Sequence, residues 1–365
     1  MSELPIRPAI KNLKEYIPGK NPEESGVIKL ASNENPLGPS PKAQEEIKKR
    51  LPDISIYPDQ NNLELRRKLA KKIGLSENNF IIGNGSDEVM QMIAATYLSS
   101  GDEVLISENT FSTYEFVTRL FDGLPVFIKQ KKYSHDLGAF TEKISKKTRM
   151  IFLCSPNNPT GKIIKKDELD AFLNKLPQNI LVVLDEAYSE YVESKDYPAA
   201  LTYIKEDKNL VVLRTFSKIY GLAGLRVGYG IAKPEIIKYL AMTKLPFNIN
   251  RLATIGALAA LDDSEHFEKS LINNHQGKNY LYKELSSLGN KISYVETEAN
   301  FIMTDVKRKA DEIFLSLMRE GVIIRPLTSF GLPQAIRVTI GTQAQNEKFA
   351  ATLSKVLADC PCRKP

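Results

Sequence analysis

The sequence predicts an α/β protein, a mostly parallel central sheet with flanking helices, joined to a smaller α+β domain. The first sign is a series of short apolar runs separated by helical stretches: Phe80–Ile82, Val104–Ile106, Val126–Ile128, Met150–Leu153, Ile180–Leu184 and Leu210–Leu213. These runs are continuous rather than alternating, as expected of strands buried on both faces. The stretches between them are long enough for the crossover helices that parallel strands require.

The second sign is a change of pattern after Lys244-Leu-Pro246. A helical stretch runs from about Arg251 to Leu288, followed by the strand Asn300–Met303, a helix, the strands Val322–Ile324 and Ile336–Ile340, and a closing helix. The division predicted is therefore a large domain over 30–245 and a smaller one formed by 1–29 with 246–365. The first thirty residues, rich in Lys, Pro and Glu, read as an arm that packs on the second domain or on a partner chain.

Composition narrows the function classes. The chain has 365 residues, 42% hydrophobic and 26% charged, which is the balance of a soluble globular protein. The net charge of +6 suits anionic small molecules, but Lys and Arg are scattered and never interleave with aromatics as a nucleic-acid track does. No segment reaches the ~20 apolar residues needed to cross a bilayer, and residues 1–20 lack an apolar signal core, so the expected location is cytoplasmic. Cys154, Cys360 and Cys362 form no disulfide framework, and Cys360-Pro-Cys362 reads as tail rather than metal site because no partnering pair is near. With only His135, His266 and His275, neither a zinc site nor a Ser-His-Asp triad has material to build on. Both phosphate-binding nucleotide motifs, Gly-x-Gly-x-x-Gly and the Walker pattern, are missing.

In open α/β sheets ligands sit beyond the carboxyl ends of the strands, so chemistry is sought just after each apolar run. Gly83-Asn-Gly-Ser-Asp87 follows the first run and opens a helix, offering the backbone N–H groups of Gly85, Ser86 and Asp87 to an anion. Ser217 and Arg226 bring a hydroxyl and a fork-shaped guanidinium that complete a phosphate cup. Asp185 ends another run; a carboxylate buried there calls for a cation or a protonated ring nitrogen. Asn158, held by Pro159, and Tyr188 supply two donors for a ring hydroxyl. Taken singly, Ser86 reads equally as a helix cap, Ser155–Gly161 as a turn and Lys218 as a surface lysine. Together they describe pyridoxal 5'-phosphate held as a Schiff base on Lys218, whose amine must lose part of its basicity to shuttle a proton.

Ser155-Pro-Asn-Asn-Pro-Thr-Gly161, Asp185-Glu-Ala-Tyr188 and Ser217-Lys218 with Arg226 resemble the motifs of class I/II aminotransferases of fold type I, which depend on pyridoxal phosphate. More narrowly, Tyr16–Gly19, Ala31-Ser-Asn-Glu-Asn-Pro36, Tyr57–Asp59, Gly85–Glu88, Gly221–Arg226, Pro246–Asn250 and Ile336–Gly341 are similar to those of the histidinol-phosphate aminotransferases of histidine biosynthesis. The resemblance implies that Lys218 carries the cofactor, Asp185 pairs with its ring nitrogen, Asn158 and Tyr188 hold its phenolic oxygen, and Phe111 stacks on the ring. It further implies that Ser86, Asp87, Ser217 and Arg226 bind the phosphate. Tyr57 would reach the phosphate of a neighbouring subunit, which makes the protein a homodimer. Many relatives carry Tyr where Phe111 stands, a change that keeps stacking and loses a hydroxyl.

By the same resemblance Arg337 grips the substrate anion, and Tyr16 joins the substrate-binding residues. Histidinol phosphate presents a phosphate where glutamate presents a carboxylate, so a second arginine would help the more highly charged substrate. Arg325 ends the run Val322–Ile324, and a hairpin-like return to Arg337 brings both guanidinium groups to one mouth. The expected reaction moves an amino group between histidinol phosphate and 2-oxoglutarate, giving imidazole acetol phosphate and glutamate. The alternatives are an aromatic aminotransferase on the same scaffold, a decarboxylase of a phosphorylated amino acid, and a binding protein that keeps the fold without catalysis.

Overall fold

The computed structural model describes residues 4, 6–11, 13 and 26–359. Tyr16, Cys360 and Cys362 lie outside the described residues. The strands in chain order are β1 (Ile28–Lys29), β2 (Phe80–Gly83), β3 (Glu103–Ser107), β4 (Leu124–Ile128), β5 (Thr148–Cys154), β6 (Leu181–Asp185) and β7 (Leu210–Thr215). They continue with β8 (Gly228–Ile231), β9 (Ser293–Val295), β10 (Phe301–Asp305), β11 (Val322–Ile323), β12 (Arg325–Pro326) and β13 (Ala335–Thr339).

A 7-stranded sheet has the order β2-β8-β7-β6-β5-β3-β4. Every neighbouring pair in it is parallel except those made by β8, which runs antiparallel to both β2 and β7. Sequence reading missed β8 because Gly-Tyr-Gly-Ile lacks the apolar run of its neighbours. The glycines have a packing cause: a Cβ on Gly228 would collide with the backbone nitrogen of Ser86, and one on Gly230 would stand 2.8 Å from Val89 Cγ1.

The continuous apolar runs follow from burial on both faces. In β3, Leu105 belongs to the apolar layer on one face of the sheet, the layer that also holds Leu65, Leu69, Leu169 and Phe172. Val104 and Ile106 point to the other face, whose apolar layer also holds Val89, Ile93, Val117 and Leu240. The helices Leu63–Ile73 and Lys166–Lys175 thus cover one face, and Ser86–Tyr97, Thr113–Leu120 and Pro234–Thr243 the other.

A second core gathers Leu281, Leu285, Ile302, Ile313, Leu317, Ile336, Val338, Phe349 and Leu353 around the 4-stranded antiparallel sheet β12-β13-β10-β9. β1 pairs parallel with β11, so the chain just before residue 30 is stitched to this second body. The helical stretch expected from Arg251 to Leu288 is two helices, Arg251–Leu261 and Ser264–Ser287. The break is chemical: the Asp263 side chain accepts the backbone N–H of His266 at 3.3 Å and the Ser40 hydroxyl at 2.5 Å, capping the second helix. Ala253 and Ala257 of the first helix sit in the large sheet's core, although sequence placed them after the boundary near 246. We propose that the division between the two bodies falls at Asp262 and Asp263.

Candidate active site

The carboxyl ends of β2, β5, β6 and β7 open into a cavity of about 200 Å³, closed on its far side by β12 and β13. Its lining includes Ser86, Asp87, Phe111, Asn158, Asp185, Tyr188, Ser217, Lys218, Arg226, Arg325 and Arg337. Residues chosen from six separate stretches of sequence thus meet in one place.

The anion end is built first by backbone. Gly85 caps the helix Ser86–Tyr97 with φ 79°, a left-handed conformation that glycine adopts without strain, and Ser86 is the first helical residue rather than the cap. Amide N–H groups without helical partners therefore face the cavity at the positive end of the helix dipole. Arg226, itself at φ 55°, returns across the loop: its Nη2 lies 3.0 Å from Asp87 Oδ2, and its Nη1 donates to Ser217 Oγ at 3.5 Å. An ideal Cβ on Gly85 would stand 2.6 Å from Arg226 Nη2, so the guanidinium reaches this position only because residue 85 has no side chain.

Asp185 closes β6 at the cavity floor. It is buried; its Oδ2 accepts the Tyr114 hydroxyl at 2.7 Å and its Oδ1 the Ala187 N–H at 3.0 Å. Burial pushes its carboxyl up to about 6, offset in part by these two donors. With both hydrogen-bond partners neutral, and the charge of Lys218 acting less than burial, this carboxylate is short of a positive charge, the complement of a protonated ring nitrogen. Sequence reading missed Tyr114, which lies on the helix Thr113–Leu120 like any apolar-face residue and stacks on Phe152 at 4.7 Å. Phe111 meets its edge at 5.7 Å and forms one wall.

Lys218 lies at the centre. Its Nζ donates to the Ser32 carbonyl at 3.2 Å and stands 5.5 Å from the centre of the Tyr188 ring. Burial, and after it the charge of Arg337, hold its amine down at about 8. Tyr188 Oη accepts a hydrogen bond from Asn33 Nδ2 at 2.9 Å. Asn158 Oδ1 accepts from Arg337 Nη1, whose Nη2 donates to the Ala31 carbonyl at 2.7 Å. Asn33, quoted from sequence only inside a motif, was given no role there.

The far wall of the cavity follows from strand register. β12 and β13 are antiparallel with Arg325 directly opposite Arg337, and directly opposed residues project from the same face of a sheet. Phe330 lines the cavity beside them. Tyr57 is not in this cavity: its side chain is 76% exposed and stacks on Phe247 at 4.5 Å. Among the described residues no cluster of His, Cys, Asp and Glu is placed to hold a metal ion, and no helix is long and apolar enough to cross a membrane.

The arrangement fits a flat aromatic cofactor carrying a phosphate, a phenolic oxygen, a basic ring nitrogen and an aldehyde. The helix terminus and Arg226 match the phosphate, Asp185 the nitrogen, Tyr188 and Asn158 the oxygen, and Lys218 the aldehyde.

Residues 25–353 match the family described as aminotransferase class I and II. The chain is 49% identical to a histidinol-phosphate aminotransferase of Moorella thermoacetica over 96% of this chain and 93% of that one. It is 46% identical to another of Caldicellulosiruptor saccharolyticus over 96% of this chain and all of that one. Among solved structures, a histidinol-phosphate aminotransferase from Sinorhizobium meliloti in complex with pyridoxal-5'-phosphate superposes with a TM-score of 0.88 at 26% identity, covering 97% of this chain and 98% of that one.

Proposed function

The chain belongs to the class I and II aminotransferases, and on that premise we propose that it moves an amino group between L-histidinol phosphate and 2-oxoglutarate, in histidine biosynthesis. The relatives at 46–49% identity carry that activity in their names, which favours it over an aromatic aminotransferase or a decarboxylase. The structural observation that carries it is Arg325 facing Arg337 across β12 and β13, both lining the cavity. One guanidinium is enough for a carboxylate; two suit a phosphate ester approaching a double charge.

Pyridoxal 5'-phosphate, when bound, supplies the ring that accepts electrons from the substrate Cα and carries the amino group between half-reactions. This chain's residues would hold and steer it. Ser86, Asp87, Ser217 and Arg226 bind the phosphate, and Asp185 keeps the ring nitrogen protonated. Asn158 and Tyr188 hold the phenolic oxygen, while Phe111 restrains the ring face. Lys218 Nζ would take the proton from the substrate Cα and pass it to the carbon that bore the cofactor's aldehyde; a pKa near 8 leaves enough free amine to do this close to neutral pH. Arg337, and with it Arg325 for the phosphate ester, sets which bond at Cα faces Lys218.

The working form is a homodimer in the cytoplasm. Tyr57 supports the dimer: it is exposed and stacks on Phe247, and it would serve the neighbouring subunit's cavity. Ile54, Ile56, Met242 and Leu245 are exposed large apolar side chains as well. The test is a half-reaction: cofactor-loaded protein mixed with histidinol phosphate, and separately with phenylalanine, followed by absorbance. Faster conversion by histidinol phosphate is expected. The reading falls if no amino group passes from histidinol phosphate to 2-oxoglutarate, and a preference for phenylalanine moves it to the aromatic enzymes.

A further inference from the structure

We propose that Asn33 is a positioning residue that aims the Tyr188 phenol proton into the cavity, toward the phenolic oxygen of the cofactor, and that the small sheet fixes its orientation. The proposal rests on the cofactor reading above.

Asn33 is buried and holds φ 57°, a left-handed backbone that Asn tolerates better than most residues. Its hydrogen-bonding groups are allocated in a way that leaves one direction free. The backbone N–H donates to Thr339 Oγ1 at 3.0 Å, the backbone carbonyl accepts from Asn300 Nδ2 at 3.0 Å, and the amide oxygen accepts the Thr339 hydroxyl at 3.4 Å. What remains is the amide nitrogen, and it donates to Tyr188 Oη at 2.9 Å.

A phenol has one proton and two lone pairs. With one lone pair engaged by Asn33, the Tyr188 proton turns away from Asn33, on a side chain that lines the cavity with Asn158 and Asp185. Donation into the phenol oxygen also polarises its O–H and strengthens it as a donor. Thr339 is two residues from Arg337 on β13, so the group that fixes Asn33 lies on the same strand face as the arginine that would take the substrate anion.

A stronger donor at Tyr188 stabilises the cofactor's phenolic oxygen as an anion. The proton shared between that oxygen and the lysine-linked nitrogen is then less tightly held, and the pH midpoint of the cofactor's absorbance change is lowered. The experiment titrates this absorbance in the holoenzyme, with no substrate and no turnover. Asn33→Gly, which accommodates the positive φ, should raise the midpoint by about half a unit to one unit, the worth of one neutral hydrogen bond. Tyr188→Phe should raise it further, and Asn33→Gly added to Tyr188→Phe should change nothing more. Should Asn33→Gly fail to fold, Thr339→Val leaves the amide in place but releases its oxygen, and a smaller rise is expected.

A merely structural role for Asn33 gives no shift, or the same shift with and without the Tyr188 hydroxyl, and either overturns the proposal. A fall in the midpoint overturns it too, since the amide oxygen would then be taking the phenol proton. A wild-type protein with no cofactor absorbance removes the cofactor reading and this proposal with it. A normal wild-type titration without an Asn33 effect removes this proposal alone.

Discussion

Asp185→Asn should make the cofactor-free protein more stable at pH 8 while weakening its hold on the cofactor. The buried carboxyl titrates at about 6 in the fold against an ordinary 3.8, and burial is the main cause. Folding stability tied to this group is therefore fully present below the unfolded value and is lost as pH rises through 6. A gap of about 2 units corresponds to about 3 kcal/mol at pH 8, at 1.36 kcal/mol per unit. Asparagine removes that charge but cannot accept both the Tyr114 hydroxyl and the Ala187 N–H as well, a loss of about 1 kcal/mol. The net expectation is a gain of about 2 kcal/mol at pH 8, closing to within about 1 kcal/mol at pH ~4.5. Guanidinium unfolding read by far-ultraviolet circular dichroism measures it, since the chain has no tryptophan to report by fluorescence. A difference that does not vary with pH, or a wild type more stable at pH 8, would refute the view that Asp185 is a charge kept buried for a cationic partner.

Cofactor uptake by the apo-protein requires the free Lys218 amine, so its rate should climb about tenfold per pH unit at low pH and level off above about 8. Arg337→Gln removes a positive charge that depresses this amine and should move the inflection upward; a flat profile counts against both statements. Arg325→Gln should weaken histidinol phosphate about fivefold more than glutamate, because a partly exposed guanidinium is worth on the order of 1 kcal/mol for each unit of substrate charge. Arg337→Gln should damage both substrates, and equal losses at Arg325 would end the division of labour. Gly85→Ala places a Cβ at 2.6 Å from Arg226 Nη2 and a side chain at φ 79°, so cofactor affinity measured by equilibrium titration should fall at least tenfold.

The fold class and most of the cavity's side chains were legible in the sequence because each depended on local information. Continuous apolar runs mark strands buried on both faces, and the residue after a run stands at the rim where a ligand binds. Asp185, Lys218, Asn158 and Arg226 could be named from that rule together with their chemistry. Register and approach were another matter. β8 was invisible because its glycines are set by the Ser86 backbone and Val89, more than a hundred residues earlier in the chain. Tyr114 and Asn33 were missed for the same reason: one is read as a helix-face aromatic until its hydroxyl is found on Asp185, the other as a motif letter until its amide is found on Tyr188. The sequence by itself determined the elements and the kinds of polar group at their ends, since strand burial and loop chemistry are written in neighbouring residues. Only the tertiary structure decided which of those groups touch, because contacts such as Tyr114 on Asp185, or Asn33 against Thr339, depend on strand pairing and packing between distant segments.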